Sequence, residues 1–378
     1  MKDVFNPVVV REIAAELRRA HPPFDINAFV ARAMEGLDQL ELTARAAHIA
    51  DALHEFLPQP FSRASAAIEA SLGAEIPATG EMGLTSLRYL PYITFVQKFG
   101  LDDYEAAMRL QAELTKRFTA EFSIRVFLER YPVSTYAQMV SWAQDDNAHL
   151  RRLASEGLRP RLPWATRLRA YQQDPRPVLA VLELLKDDPE RYVQRSVANN
   201  LNDIAKDHPL LAIETCRRWA QDAPAGRAWT IRHALRGLVK AGNSEAIRIL
   251  GGEEKPRVRI GNATISPRKA AIGEAVRLSF EVESMARGSQ RLLIDYAVHF
   301  VKANGSTRPK VFKLRALTLG PGDTIAFSAT VSLAAMTTRR HYPGRHRIDV
   351  IINGTAHLLG EFEVTIKPET GGKLPGKL

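Results

Sequence analysis

The sequence has a single cysteine in 378 residues. One thiol, Cys216, excludes an intrachain disulfide framework and a cysteine-built zinc cage. It sits at helical spacing in LLAIETCRRWA, which reads as a core thiol rather than a nucleophile. There is no run of 18 apolar residues, so no membrane span is expected. The opening MKDVFNPVVVREIAAELRRA contains acidic residues and no unbroken apolar stretch, unlike a secretory signal. A reducing cytoplasm is therefore the expected setting, and the Asn-X-Ser/Thr patterns from Asn262, Asn304 and Asn353 read as chance matches. The histidines lack ligand spacing, and GPGD at 320–323 precedes no helix, so neither a metal site nor a phosphate loop is expected.

What is present is basic charge, unevenly placed. The formal net charge is +10. Residues 256–378 hold 19 Lys+Arg against 9 Asp+Glu, whereas residues 1–255 hold 33 of each. The whole excess lies in the C-terminal third. Such a segment suits a polyanion, because phosphate neutralisation by Lys and Arg dominates nucleic-acid affinity. The alternative is a charge that serves only solubility.

Two periodicities divide the chain. PVVVREIAAELRRA, DINAFVARAMEGL, ELTARAAHIADALHEFL and LDDYEAAMRLQAELTKRF place apolar residues at i, i+3, i+4 and i+7, with Asp25 and Asp102 as candidate caps. Pro132, Pro163, Pro175, Pro189, Pro209 and Pro224 fall between periodic runs, where they stop or open helices. After GGEEKP the period changes to 2, in seven stretches from VRIGNATISP to HLLGEFEVTI. The expected architecture is mainly α: a HEAT-like helical-repeat solenoid over residues 1–252, then an all-β immunoglobulin-like sandwich over 256–368 without the usual disulfide, then a tail over 369–378.

A repeat supports the solenoid. LRRLASEGL (150–158), VQRSVANNL (193–201) and TIRHALRGL (230–238) share one register, with Arg152, Arg195 and Arg232 at the same place 43 and 37 residues apart. A period of roughly 40 with two helices per unit is the HEAT signature. The first copy continues as LRRLASEGLRPRLPWA, with Arg151, Arg152, Arg159 and Arg161 around Glu156, and then Trp164.

LRRLASEGLRPRLPWA, YVQRSVANNLNDIAKDHP and AWTIRHALRGLVKAG together resemble the DNA alkylation repair glycosylases of the AlkC/AlkD group, the first two closest to the AlkC branch, part of which carries a C-terminal Ig-like sandwich. The resemblance implies excision of cationic N3-alkylated bases, chiefly 3-methyladenine and 3-methylcytosine, from duplex DNA without flipping the base into a pocket. One departure stands out: where the AlkD-like pattern has a tryptophan before ALR in the third unit, this chain has His233.

The chemistry of such a reaction can be set beside the residues. Breaking the bond to a cationic base builds positive charge on the sugar, which calls for carboxylates, an aromatic face and arginines for flanking phosphates. It calls for no cofactor and no metal. The candidate carboxylates are Glu121 in FTAEFSIR, Glu156 and Asp203, each expected on an inner helix of a different unit. Trp164, placed at a helix start, is the candidate contact to the lesion or its sugar, whereas Trp219 and Trp229 read as core and His233 as a helix-surface residue. Arg152, Arg159, Arg161, Arg167 and Arg169 are candidate DNA contacts, although the recurrence of Arg152 also fits a structural arginine. In the sandwich, Lys310, Lys313 and Arg315 are expected along one strand face, and Arg339, Arg340, His341 and Arg345 in one loop. The expectation is a monomeric, monofunctional glycosylase acting on double-stranded alkylated DNA; the competing reading is a non-enzymatic HEAT scaffold that binds nucleic acid or protein.

Overall fold

The side chain of Asn6 opens the first helix by accepting hydrogen bonds from the Val8 and Val9 amides. Asp25 does the same for the second, through Ala28. For the helix that starts at Tyr104 the cap is Asp103, one residue later than expected, and it accepts from the Ala106 amide. The computed structural model describes residues 2–77, 84–252, 256–336 and 340–366. It divides into two compact units, Met1–Leu235 and Arg236–Leu378.

The first unit is helical: α1 (Pro7–Ala20), α2 (Ile26–Met34), α3 (Leu42–Phe56), α4 (Phe61–Ser71), α5 (Leu90–Phe99), α6 (Tyr104–Thr115) and α7 (Ile124–Arg130). It continues with α8 (Pro132–Trp142), α9 (Ala148–Gly157), α10 (Arg169–Gln173), α11 (Arg176–Leu185), α12 (Arg191–Asp207), α13 (Pro209–Trp219) and α14 (Ala225–Ala234). Proline stands at the first or second position of α8, α11 and α13, where its missing amide costs no helical bond. The recurring register lies on α9, α12 and, up to Ala234, α14; α12 packs against both α9 and α14, and α6 packs against α9. Helices α8 and α11 pack on α9, and α11 and α13 on α12, completing the second layer of a helical repeat. Trp219 and Cys216 are buried in α13, and burial pushes the thiol up to about 12. Among the described residues no helix is long and apolar enough to cross a membrane.

Close packing beside α9 depends on Gly157. A Cβ there would stand 2.5 Å from Met139 Cε and 2.9 Å from Ile124 Cγ2. The Met139 methyl can move, but the branched Ile124 cannot turn away so easily. Gly157→Ala should therefore cost roughly 1–3 kcal/mol despite its better helix propensity, measured by urea unfolding. An unchanged or raised stability would show that this contact relaxes freely.

Among its described residues the second unit holds α15 (Arg236–Lys240), α16 (Ser244–Ile249) and eight strands: β1 (Val258–Ser266), β2 (Lys269–Ala271), β3 (Ala275–Ser284), β4 (Gln290–Val301), β5 (Thr307–Leu319), β6 (Thr324–Ser332), β7 (Gly344–Ile352) and β8 (Thr355–Thr365). They form a three-stranded sheet, β1-β3-β6, and a five-stranded sheet, β2-β8-β7-β4-β5. The seven expected strands are all present. The eighth, β2, has three residues, too few to show a period, and pairs in parallel with β8. Alternate residues such as Leu278, Phe280 and Val282 of β3 and Ile294, Tyr296 and Val298 of β4 fill the core in place of a disulfide. Asn353 and Gly354, noted only as part of a glycosylation pattern, are the hairpin turn between β7 and β8, both at positive φ.

Candidate active site

The four arginines of LRRLASEGLRPRLPWA do not form an open basic surface. Each is ion-paired to a carboxylate inside the helical unit. Arg151 donates to Asp188 at 2.6 Å. Arg152 donates through Nη1 to Glu121 Oε2 at 2.6 Å and to Thr119 Oγ1 at 2.9 Å, and lies 3.6 Å from Glu156. Arg159 donates through Nη1 to Glu156 Oε1 at 2.6 Å and through Nε to Asp203 Oδ2 at 2.8 Å. Arg161 holds Asp207 at the end of α12. Expecting Arg152, Arg159 and Arg161 to grip phosphates took no account of these partners. Arg159, with its guanidinium on two buried carboxylates, has little left to offer a phosphate, whereas Arg161 meets Asp207 through one edge only.

The same network gathers the three candidate carboxylates. Glu156 lies on α9 and Asp203 on the adjacent α12, as helices stacked in register allow. Glu121 is not on a helix but in the turn before α7, where Thr119 Oγ1 donates to it at 2.8 Å. Glu156 is 5% exposed and accepts a second bond, from Ser196 Oγ, at 2.5 Å. Burial alone would raise its pKa. The charges of Arg152 and Arg159 and the bonds from Ser196 and Arg159 outweigh burial and hold the carboxyl below its ordinary value. Asp203 is 1% exposed and is also held by Lys206 at 2.8 Å.

The lowered Glu156 pKa has a definite sign. A group with a depressed folded pKa adds stability that is complete above its unfolded value and lost as pH falls through the folded one. The difference in unfolding free energy between wild type and Glu156→Gln should be flat at neutral pH, then shrink only below the ordinary value of 4.5. Shrinkage already between about pH 7 and 5 would mean that burial wins over the arginines.

A cleft of about 650 Å³ opens over this network. Glu121, Glu156 and Arg159 form its polar floor, Trp164 and Pro163 part of its rim, and side chains from α3 and α5, including Ala46 and Ile93, an apolar wall. Asp203 stands behind Arg159 and is not part of the wall. Trp164 is not at a helix start. It lies in the loop between α9 and α10, is 85% exposed, and has a φ of 63°. That left-handed conformation costs a bulky residue about 1–3 kcal/mol and is found mainly where surrounding structure enforces it. An exposed, strained tryptophan at the mouth of a cleft floored by ionised carboxylate is suited to meeting a flat, cationic ligand.

A second cavity, about 760 Å³, has Arg167 and Arg169 in its wall together with Tyr171 and none of the three carboxylates. Both arginines are exposed. Trp229, expected in the core, is only partly buried: the Arg191 guanidinium lies 4.2 Å from its ring centre and His233 stacks on it at 4.9 Å.

In the sandwich unit, β5 carries a bulge at Leu314, so Lys313 pairs with Asp295 whereas Lys310 and Arg315 pair with Val298 and Ile294. Lys310 and Arg315 therefore share the core-side parity at this edge strand and Lys313 faces the other way, so the three do not form the single stripe expected. All three are exposed, as are Arg340 and Arg345. His341 is buried, edge-on to Phe300, and is withdrawn from any DNA surface. Arg339 lies outside the described residues.

The residues that sequence reasoning missed are Thr119, Ser196 and Tyr192, whose ring stacks with Arg152 at 5.3 Å. Ser196 left a trace in the repeat. Its register-mate in the first unit is Leu153, a core residue, so a hydroxyl there marks a buried polar contact.

Residues 110–238 match the model for DNA alkylation repair enzymes, a span that contains Glu121, Glu156, Trp164 and Asp203. Residues 259–366 match the C-terminal Ig-like domain described for the uncharacterised protein YhaZ. The chain belongs to the DNA alkylation repair enzyme family, in the form that ends in this Ig-like domain. Among individual proteins it is similar to YhaZ of Bacillus subtilis (strain 168), an uncharacterized protein, at 34% identity over 96% of this chain and 99% of that one. Among solved structures it is similar to the Pseudomonas fluorescens alkylpurine DNA glycosylase AlkC bound to DNA containing an abasic site analog, at 39% identity and a TM-score of 0.88, covering 96% of this chain and 99% of that chain.

Proposed function

We propose that this protein is a monofunctional DNA N-glycosylase that removes cationic alkylated bases, 3-methyladenine and 3-methylcytosine, from duplex DNA as the first step of base excision repair. The observation that carries the proposal is the cleft itself: Glu121 and an ionised Glu156 in its wall, with an exposed, strained Trp164 beside them. The likeness to an alkylpurine DNA glycosylase supports it. In the reaction the glycosidic bond breaks, its electron pair leaves with the base, and the base departs neutral. Positive charge collects on the sugar, where the carboxylates stabilise it. Water then adds to C1′ and passes its proton to a carboxylate of the cleft, Glu156 or Glu121, while Asp203 holds Arg159 in place. As part of the same proposal, the base is not extruded into an enclosed pocket, and the protein acts as a cytoplasmic monomer.

We assign DNA-backbone contact to the exposed cations Arg167 and Arg169 on the helical unit and Lys310, Lys313, Arg315, Arg340 and Arg345 on the sandwich unit, residues 256–368 acting as a clamp. Exposure and the excess of basic residues in that third support this assignment.

The test is release of free base from methylated duplex DNA, with 3-methyladenine and 3-methylcytosine quantified separately. Wild type should release both and leave the strand uncut until heat or base is applied; prompt strand cleavage would refute the monofunctional reading. DNA binding that is sensitive to salt, with no base released, would favour the non-enzymatic scaffold. For the clamp, Lys310→Glu with Arg345→Glu should flatten the salt dependence by about one unit of slope per lost phosphate contact. An unchanged slope would leave the sandwich charge without a role in binding.

A further inference from the structure

We propose that Arg125 is a positioning residue that locks the loop carrying Trp164 over the carboxylates. Arg125, on α7, is 2% exposed and is among the largest fully buried side chains. Its guanidinium donates to three backbone carbonyls at the two ends of one loop. Nη1 reaches Gly157 O at 3.1 Å and Arg159 O at 3.0 Å, where α9 ends. Nε and Nη2 both reach Thr166 O, at 2.9 and 2.5 Å, just before α10. Trp164 lies between these anchor points, and Arg159 is one of them.

Three features make this more than helix capping. First, the guanidinium joins both ends of the loop, whereas capping α9 would need only the Gly157 and Arg159 carbonyls. Second, among the described residues its hydrogen bonds go to carbonyls and none to a carboxylate, an expensive way to bury a cation unless the carbonyl geometry itself is needed. Burial lowers its pKa to about 10, which leaves it protonated at neutral pH. Third, only a fork of fixed donors spans these acceptors at once, which an ammonium cannot do. The positive φ of Trp164 needs such an outside constraint, because the loop contributes few backbone bonds of its own, among them Ala165 N to Leu162 O at 3.4 Å.

The proposal rests on the reading of Trp164 as a lesion contact, so its test includes an arm that needs no activity. Full-length Arg125→Met and Arg125→Lys are compared with wild type for chymotrypsin nicking at the Trp164–Ala165 bond, with global stability from urea unfolding. Nicking should accelerate about tenfold or more in Arg125→Met, beyond what its change in global stability accounts for, with Arg125→Lys between. In single turnover, base release should fall about a hundredfold in Arg125→Met while DNA affinity stays within about threefold. Trp164→Ala should add no further loss in the Arg125→Met background, because the two act as one unit. Unchanged nicking in folded Arg125→Met overturns the proposal, as do additive losses or a rate that falls only in step with stability. If wild type releases no base, the glycosylase reading fails, and nicking alone still decides whether Arg125 holds the loop.

Discussion

Glu156→Gln should lower the single-turnover rate of base release by about two to three orders of magnitude, the usual cost of removing one preorganised electrostatic contact from a transition state. DNA affinity should hold or rise, because the change removes a negative charge from a site that faces a polyanion. This separation of rate from affinity is what the ion-pair network allows. Without the Glu156 charge, Arg152 still pairs with Glu121 and Arg159 still pairs with Asp203, so neither cation is stranded. The amide retains the shape of the carboxylate and can still meet Ser196. What disappears is the fixed negative charge at the cleft floor. Release within about threefold of wild type would remove Glu156 from the chemistry and point to Glu121, the other carboxylate in the cleft wall.

Arg159→Met should produce the largest loss of stability, roughly 3–5 kcal/mol, because it takes one shared cation from two buried carboxylates. The lower end is expected, since Asp203 keeps Lys206 and Glu156 keeps Ser196 and Arg152. The sign of the pH dependence is informative. Without Arg159, burial gains on the remaining partners and the Glu156 carboxyl rises, so mild acid should recover part of the loss by neutralising it. Unfolding curves at neutral pH and about pH 5 measure this, and a stability gap that widens in acid would contradict it. Arg159→Lys should recover only part of the loss, because one ammonium cannot span both acceptors in the guanidinium geometry.

Much of this protein was legible in the sequence. The change of period after Gly251 separated helices from strands, because side-chain spacing alone decides which face of each element can be buried. The recurrence of Arg152, Arg195 and Arg232 found three helices that pack in sequence, and Glu156 and Asp203, named from its first two copies, meet in one network with Glu121, named from FTAEFSIR. The density of Arg152, Arg159 and Arg161 suggested DNA contacts, with a structural arginine as the alternative for Arg152, and the sequence could not reveal their ion-pair partners Glu121, Asp203 and Asp207, which lie far along the chain. Lys310 and Lys313, three residues apart, fall on opposite faces by strand alternation alone, and the bulge at Leu314 then carries Arg315 to the face of Lys310, a shift that nothing in the local residues announced.

The sequence by itself determined the order of elements, the absence of a disulfide framework and the residue types available for chemistry, all consequences of composition and short-range spacing. Tertiary structure alone decided which charges were spent on one another. Ion pairing depends on distances between residues tens of positions apart, and a guanidinium buried against carboxylates has a different chemistry from the same group in water. Tertiary structure likewise decided that Trp164 is exposed with a positive φ and that Arg125 reaches carbonyls at both ends of the loop, because those contacts also join residues tens of positions apart.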